Sequence, residues 1–94
     1  MYIKYFTNDM FNKTDFCALC QEYGIFAIPC EGGIFLDRTQ FNSLPGGKMP
    51  HWLWMNKEYI NSEYYTRKAT AEEIDALYRA SIIARDRRTI PCMK

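Results

Sequence analysis

Polar and apolar positions along the chain switch between a period of two and a period near 3.6, and the switches mark its elements. Met1-Tyr2-Ile3-Lys4-Tyr5-Phe6 is apolar and aromatic with one lysine, long enough for a strand, and the polar group Thr7-Asn8-Asp9 ends it. From Asn12 the period becomes helical. Phe16, Leu19, Cys20 and Tyr23 recur at i, i+3, i+4 and i+7, with Asn12 as cap, Asp15 at the third helical position and Gly24 where a left-handed stop belongs. Ile25-Phe26-Ala27-Ile28-Pro29-Cys30 and Ile34-Phe35-Leu36-Asp37, joined by Glu31-Gly32-Gly33, predict a hairpin whose glycines supply the positive φ of a tight turn. Pro29 has no N–H to donate, so its strand is expected at a sheet edge or at a bulge. Asp37 with Gln40 resembles a capping box for a short helix carrying Phe41 and Leu44, and residues 45–50, Pro-Gly-Gly-Lys-Met-Pro, break the chain into two halves.

The segment 51–65 is dense in rings: five of the fifteen aromatic residues, Trp52, Trp54, Tyr59, Tyr64 and Tyr65, fall within fourteen positions. Large rings alternating with polar residues suit a pleated sheet, so this block is expected to form two strands, with Trp52 and Trp54 on one strand face. In the second strand Tyr59 and Tyr65 share one parity and Ile60 and Tyr64 the other. Both faces then carry rings, and one ring face is left outside or under another chain. After the block, Thr70-Ala71-Glu72-Glu73 is a capping box that opens the last helix. Its core stripe is Ile74, Leu77, Tyr78, Ser81 and Ala84, with acids in the first turn, arginines in the last, and Thr89-Ile90-Pro91 as the stop. The expected order is β-α-β-β-short α-β-β-α. The expected fold is a single α+β domain whose mixed or antiparallel sheet of four to five strands carries two main helices on one face.

Composition narrows the function classes. A chain of 94 residues buries roughly 60 to 65% of its unfolded surface, which leaves little stability to spare for an enclosed active site. A net charge of +1 argues against a strongly basic nucleic-acid binder and against an acidic mimic of nucleic acid. No apolar run approaches the length of a membrane span, and the first residues lack the pattern of a signal peptide, so a cytoplasmic chain with reduced thiols is expected.

The four cysteines then bear on chemistry. Cys17-Ala18-Leu19-Cys20, with Cys30 and His51, contains ligand types that zinc prefers, but there is no second such pair and Cys20 lies on the core stripe of a helix. A redox pair would stand at the first helical turn directly after a strand, and Cys17 lies about a turn further in. Free thiols and no metal are expected. His51 is the only histidine and has no visible nucleophile partner, and neither glycine pair precedes a helix with a phosphate-loop pattern. No cofactor is implied, and a non-enzyme is expected.

The residue types left over are those of a binding surface. Tyrosine, tryptophan and arginine dominate interface energetics, so Trp52, Trp54, Tyr59, Tyr64 and Tyr65 are the candidate contact rings. Arg85, Arg87 and Arg88 at the end of the last helix, with Arg67 and Lys68 beside the rings, are the candidate cations; at a helix end such residues also complement the dipole. A protein target is expected. The alternative is a nucleotide or single-stranded nucleic acid, with bases stacked on the rings and phosphates held by the arginines. A two-fold homodimer through the aromatic segment or the last helix is also expected, with Ile83 on the helix side opposite Ile74.

In its small size, α+β build, reduced cysteines and lack of a catalytic signature, the chain resembles bacteriophage accessory proteins, including host-takeover and anti-defence inhibitors such as anti-CRISPR proteins. The likeness is one of general build and carries no motif and no residue assignment. It implies an inhibitor that acts by binding a protein.

Overall fold

Strand β1 (Tyr2–Phe6) has the two-residue alternation its sequence predicts: Ile3 and Tyr5 are buried while Tyr2 and Lys4 are only partly covered. The computed structural model describes residues 1–80 and sets β1 inside a four-stranded sheet with β2 (Ala27–Cys30), β3 (Gly33–Asp37) and β4 (Thr66–Lys68), in the order β2-β3-β1-β4. Every neighbouring pair is antiparallel. Register places Ile3 opposite Leu36 and Tyr5 opposite Ile34, with Ala27 beyond Leu36, so one face of the sheet is a continuous apolar layer. Strand β2 is an edge, as Pro29 requires, and the Gln21 side chain donates to the Ala27 carbonyl at 2.9 Å.

Helices α1 (Lys13–Glu22), α2 (Arg38–Ser43) and α3 (His51–Ile60) contribute Phe16, Cys17, Cys20, Phe41, Leu53 and Ile60 to the core that this apolar layer completes. Local side chains start two of them. Asn12 accepts from the Asp15 backbone N–H, and Asp37 accepts from those of Thr39 and Gln40. The Gln40 side chain does not close a box on Asp37. It accepts from the Phe26 N–H at 2.6 Å and so ties α2 to the entry of β2. Gly24, after α1, and Gly32, in the hairpin turn, have the expected positive φ of 76° and 79°. Each fully buried Phe, Leu or Ile contributes roughly 1.5–3 kcal/mol, a large share of a total stability of about 5–15 kcal/mol.

The structure departs from expectation in three further places. Residues 51–60 form a helix, not a strand, because Met49, Leu53, Asn56 and Ile60 make a buried stripe at helical spacing. Neither of the two strands expected within 51–65 forms; the strand β4 begins only after the block, at Thr66. The helices are also divided between the faces, since α3 fills space on the core face. Helix α4 (Ala71–Arg79) lies over the other face, to which Tyr2, Lys4 and Arg67 point. It is held there by two Arg67 to Glu73 hydrogen bonds at 2.8 Å, and its Tyr78 side chain stands beside Tyr2. Its Leu77 is buried apart from the main core. Finally, Gly33 is a strand residue without positive φ, pressed against β1.

The Thr70 capping box forms as expected, and Glu73 serves both it and Arg67. Hydrogen bonds from Arg67, then from the Thr70 backbone, hold the Glu73 carboxyl down to about 2. A depressed carboxyl contributes stability that is present above its unfolded value near 4.5 and is lost as pH falls towards 2. Glu73 is only partly covered, so solvent screening keeps this contribution to about 1 kcal/mol or less. Glu73→Gln is therefore expected to melt slightly below the native chain at pH 7, with the two curves converging as pH approaches 2; a constant gap across that range would contradict the linkage.

Candidate functional site

The exposed rings gather where α3 ends and the chain turns back into β4. Trp54 is seated by its neighbours: the Gly46 backbone lies so close that an added methyl carbon would stand 3.2 Å from the ring, and the Lys57 ammonium lies 5.3 Å from the ring centroid. The indole remains 51% exposed. Beside it Met55, Glu58 and Tyr59 line an open depression of about 820 Å³ that begins at His51. Tyr59 meets the ring of Tyr65 edge-on at 5.0 Å, and Tyr65 meets Tyr64 edge-on at 4.9 Å. On the far side of Tyr59 and Tyr65, a recess of about 240 Å³ opens towards Phe6, Phe11 and Tyr5.

A network of hydrogen bonds fixes the turn that carries these rings. The Asn61 and Asn42 side-chain amides bond each other in both directions at 2.8 and 2.9 Å. The Tyr64 N–H donates to the Ser62 hydroxyl at 3.1 Å, the Thr66 hydroxyl donates to the Ser62 carbonyl at 2.6 Å, and the Phe6 N–H donates to the Tyr65 carbonyl at 2.9 Å. Rings ordered before binding lose less entropy on contact with a partner.

Of the residues singled out in the sequence, Trp54, Tyr59, Tyr64 and Tyr65 stand on this surface, and Tyr64 is 84% exposed. Trp52 does not. In a helix, two residues apart means roughly opposite sides, and Trp52 packs inward, edge-on to Phe16 at 5.3 Å. Arg67 is exposed but engaged by Glu73, while Lys68 is exposed at the end of β4. Arg85, Arg87 and Arg88 lie outside the described residues, as do Ile83, Ser81 and Ala84 of the expected helix. Two surface members were missed. Met55 is exposed on α3 and became visible only once that segment was known to be helical; Phe6 ends β1, where the outward parity of Tyr2 and Lys4 already pointed it away from the core.

The polar groups beneath the surface are structural. The Tyr5 hydroxyl donates to Asn56 Oδ1 at 2.7 Å in the core, and Asn56 Nδ2 donates to the Trp52 carbonyl at 2.8 Å. Burial, followed by the neighbouring Tyr59 and Tyr65, pushes the Tyr5 phenol up to about 12, so it remains a donor. Tyr5→Phe leaves the amide oxygen of Asn56 buried without a donor and is expected to cost about 1–3 kcal/mol in chemical denaturation. A loss below a few tenths would mean that the pair is not formed.

The thiols and the histidine stand apart from one another in role. Cys17, Cys20 and Cys30 are free; burial pushes the Cys17 and Cys20 thiols up to about 12, which keeps them protonated and unreactive. His51 is exposed at the rim of the depression, whose lining holds no serine, threonine or cysteine to serve as nucleophile. Among the described residues, no group of three or more His, Cys, Asp or Glu is placed to hold a metal ion, and no helix is long and apolar enough to cross a membrane. No protein-family model, curated protein or solved structure matches the chain.

Proposed function

We propose that the chain is a non-catalytic protein-binding module, of the inhibitor or adaptor kind, that engages its target through the ring surface of α3 and the following turn. The observation that carries this is the position of Tyr59, which borders both hollows and touches Tyr65. It joins Trp54, Met55, Tyr64, Tyr65 and Phe6 into one surface. Six of the nine large hydrophobic residues exposed among the described residues thus belong to one patch, whereas scattered exposure would need no explanation. Exposed aromatic and Met side chains on a pinned scaffold are the composition of an interface centre.

The cations near the rings favour a protein over a nucleic acid. Among the described residues at the rings, Lys57 lies over Trp54, Arg67 is paired with Glu73, and Glu58 and Glu63 offset the exposed Lys68, so this part of the surface carries little excess positive charge to hold phosphates. The resemblance to phage accessory proteins supplies the biological setting, a cytoplasmic inhibitor of a host or defence protein. A homodimer would use the same apolar patch. It is therefore a competitor of the target at high concentration, and light scattering of the free chain reads it directly.

The test is a pull-down from bacterial lysate with the full chain and with Trp54→Ala/Tyr64→Ala, identifying bound proteins and nucleic acids together. A protein retained by the native chain and lost with the double variant is the expected result. Retention of the same protein by both, or recovery of nucleic acid alone with salt-sensitive binding, contradicts it.

A further inference from the structure

The recess between β1 and the 61–65 turn differs in chemistry from the open depression on α3. Five rings bound it: Tyr5, Phe6, Phe11, Tyr59 and Tyr65. Tyr59 and Tyr65 stand at 84° to each other, and Tyr5 and Phe11 at 81° with centroids 6.3 Å apart, so the walls are two perpendicular corners and not a stack. No lining residue carries a charge; the others are Thr7 and Asn8. Thr7 Oγ1 is buried and has no hydrogen-bond partner, so after a turn of its side chain it is an unused acceptor for a donor that enters the recess.

A box of ring faces and edges accepts either a flat apolar group or a cation. Two observations favour the cation. The rings of this surface already attract the protein's own cations, with the Lys4 ammonium 5.6 Å from the Phe6 centroid and that of Lys57 5.3 Å from Trp54. An alkyl or phenyl plug would also leave the Thr7 oxygen without a donor, whereas an ammonium or guanidinium brings N–H groups with its charge.

We infer that this recess receives a cationic side chain, ammonium or guanidinium, of the protein partner, enclosed by Phe6, Phe11, Tyr59 and Tyr65 over Tyr5. This rests on the binding-module reading above and adds the chemistry of its anchor. It is tested without the partner by following the aromatic NMR signals of the full chain during titration with n-butylammonium and with n-butanol, which differ in the charged end. Saturable shifts at Tyr59 and Tyr65, with half-saturation for n-butylammonium at least about three-fold lower than for n-butanol, are expected from the size of a cation–π contact. Equal half-saturation, or no saturation with the ammonium, overturns the inference; neither comparison depends on a variant folding. Tyr59→Leu/Tyr65→Leu is expected to abolish the saturation. The Trp54→Ala/Tyr64→Ala chain separates the two claims. Target binding lost in that chain, with no ammonium binding by the native one, defeats only the anchor chemistry. Saturation by the ammonium with target binding intact in the double variant defeats the proposed surface instead.

Discussion

Gly33→Ala is expected to unfold the domain or to cost it about 3 kcal/mol or more, because no space exists for a methyl group. A carbon added there would overlap the Tyr5 carbonyl oxygen and lie 3.1 Å from the Phe6 Cα, and both are backbone atoms of a central strand. A flexible side chain could swing away from such an approach. A strand paired on both sides cannot, and β1 is paired with β3 and β4. Gly47, with no atom within 4 Å of the same carbon and no positive φ, is the control: Gly47→Ala is expected to stay within about 0.5 kcal/mol of the native chain. Urea denaturation of the two variants checks both, and near-native stability of Gly33→Ala would contradict the close approach of the β1 and β3 backbones at this position.

Phe16→Ala is expected to cost about 3–5 kcal/mol, the range for removing a fully enclosed phenyl ring. Phe16 is 0% exposed and touches Phe11 at 5.2 Å and Trp52 at 5.3 Å between ring centroids, so it is the point where α1 and α3 lock together over the sheet. Trp52→Ala, which removes the half-buried partner, is expected to cost roughly half as much. The contrast with Trp54 is the useful part. Substituting Trp54 is expected to leave melting nearly unchanged, and equal losses at the two tryptophans would restore the shared strand face that the alternation of residues 51–54 predicts.

That contrast also shows where the chain is legible and where it is not. Asn12, Asp37 and Thr70 cap their helices with their own side chains, and Gly24 and Gly32 take the positive φ that their turns need; such signals are local and can be seen in a short stretch of sequence. Helix α3 has no such signal, since Pro50 supplies no side-chain hydrogen bond at its start. Its stripe is interrupted by a polar residue, Asn56, which is buried only because Tyr5, 51 positions away, bonds it. Its tryptophans and tyrosine meanwhile favour strands when considered without their surroundings. Tertiary contacts overrode that preference.

The ring surface was legible in composition but not in geometry. Strand parity separated Tyr59 and Tyr65 from Tyr64, whereas the turn brings all three into edge-on contact, pinned by an amide pair between Asn42 and Asn61 that spans 19 positions. Arg67 is one of the candidate cations by residue type, and nothing in a list of residue types shows that its guanidinium is held by Glu73. Exposure of Met55 and Phe6 depended on the period assigned to each segment, right for β1 and wrong for α3.

Whether Trp54 and Tyr64 contact a target is measured most directly by the affinity of the captured protein for the native chain and for Trp54→Ala/Tyr64→Ala at matched melting temperatures. Hot-spot rings at an interface centre predict a loss of at least about 100-fold in Kd with melting unchanged. An unchanged Kd in a folded double variant would contradict the proposed surface.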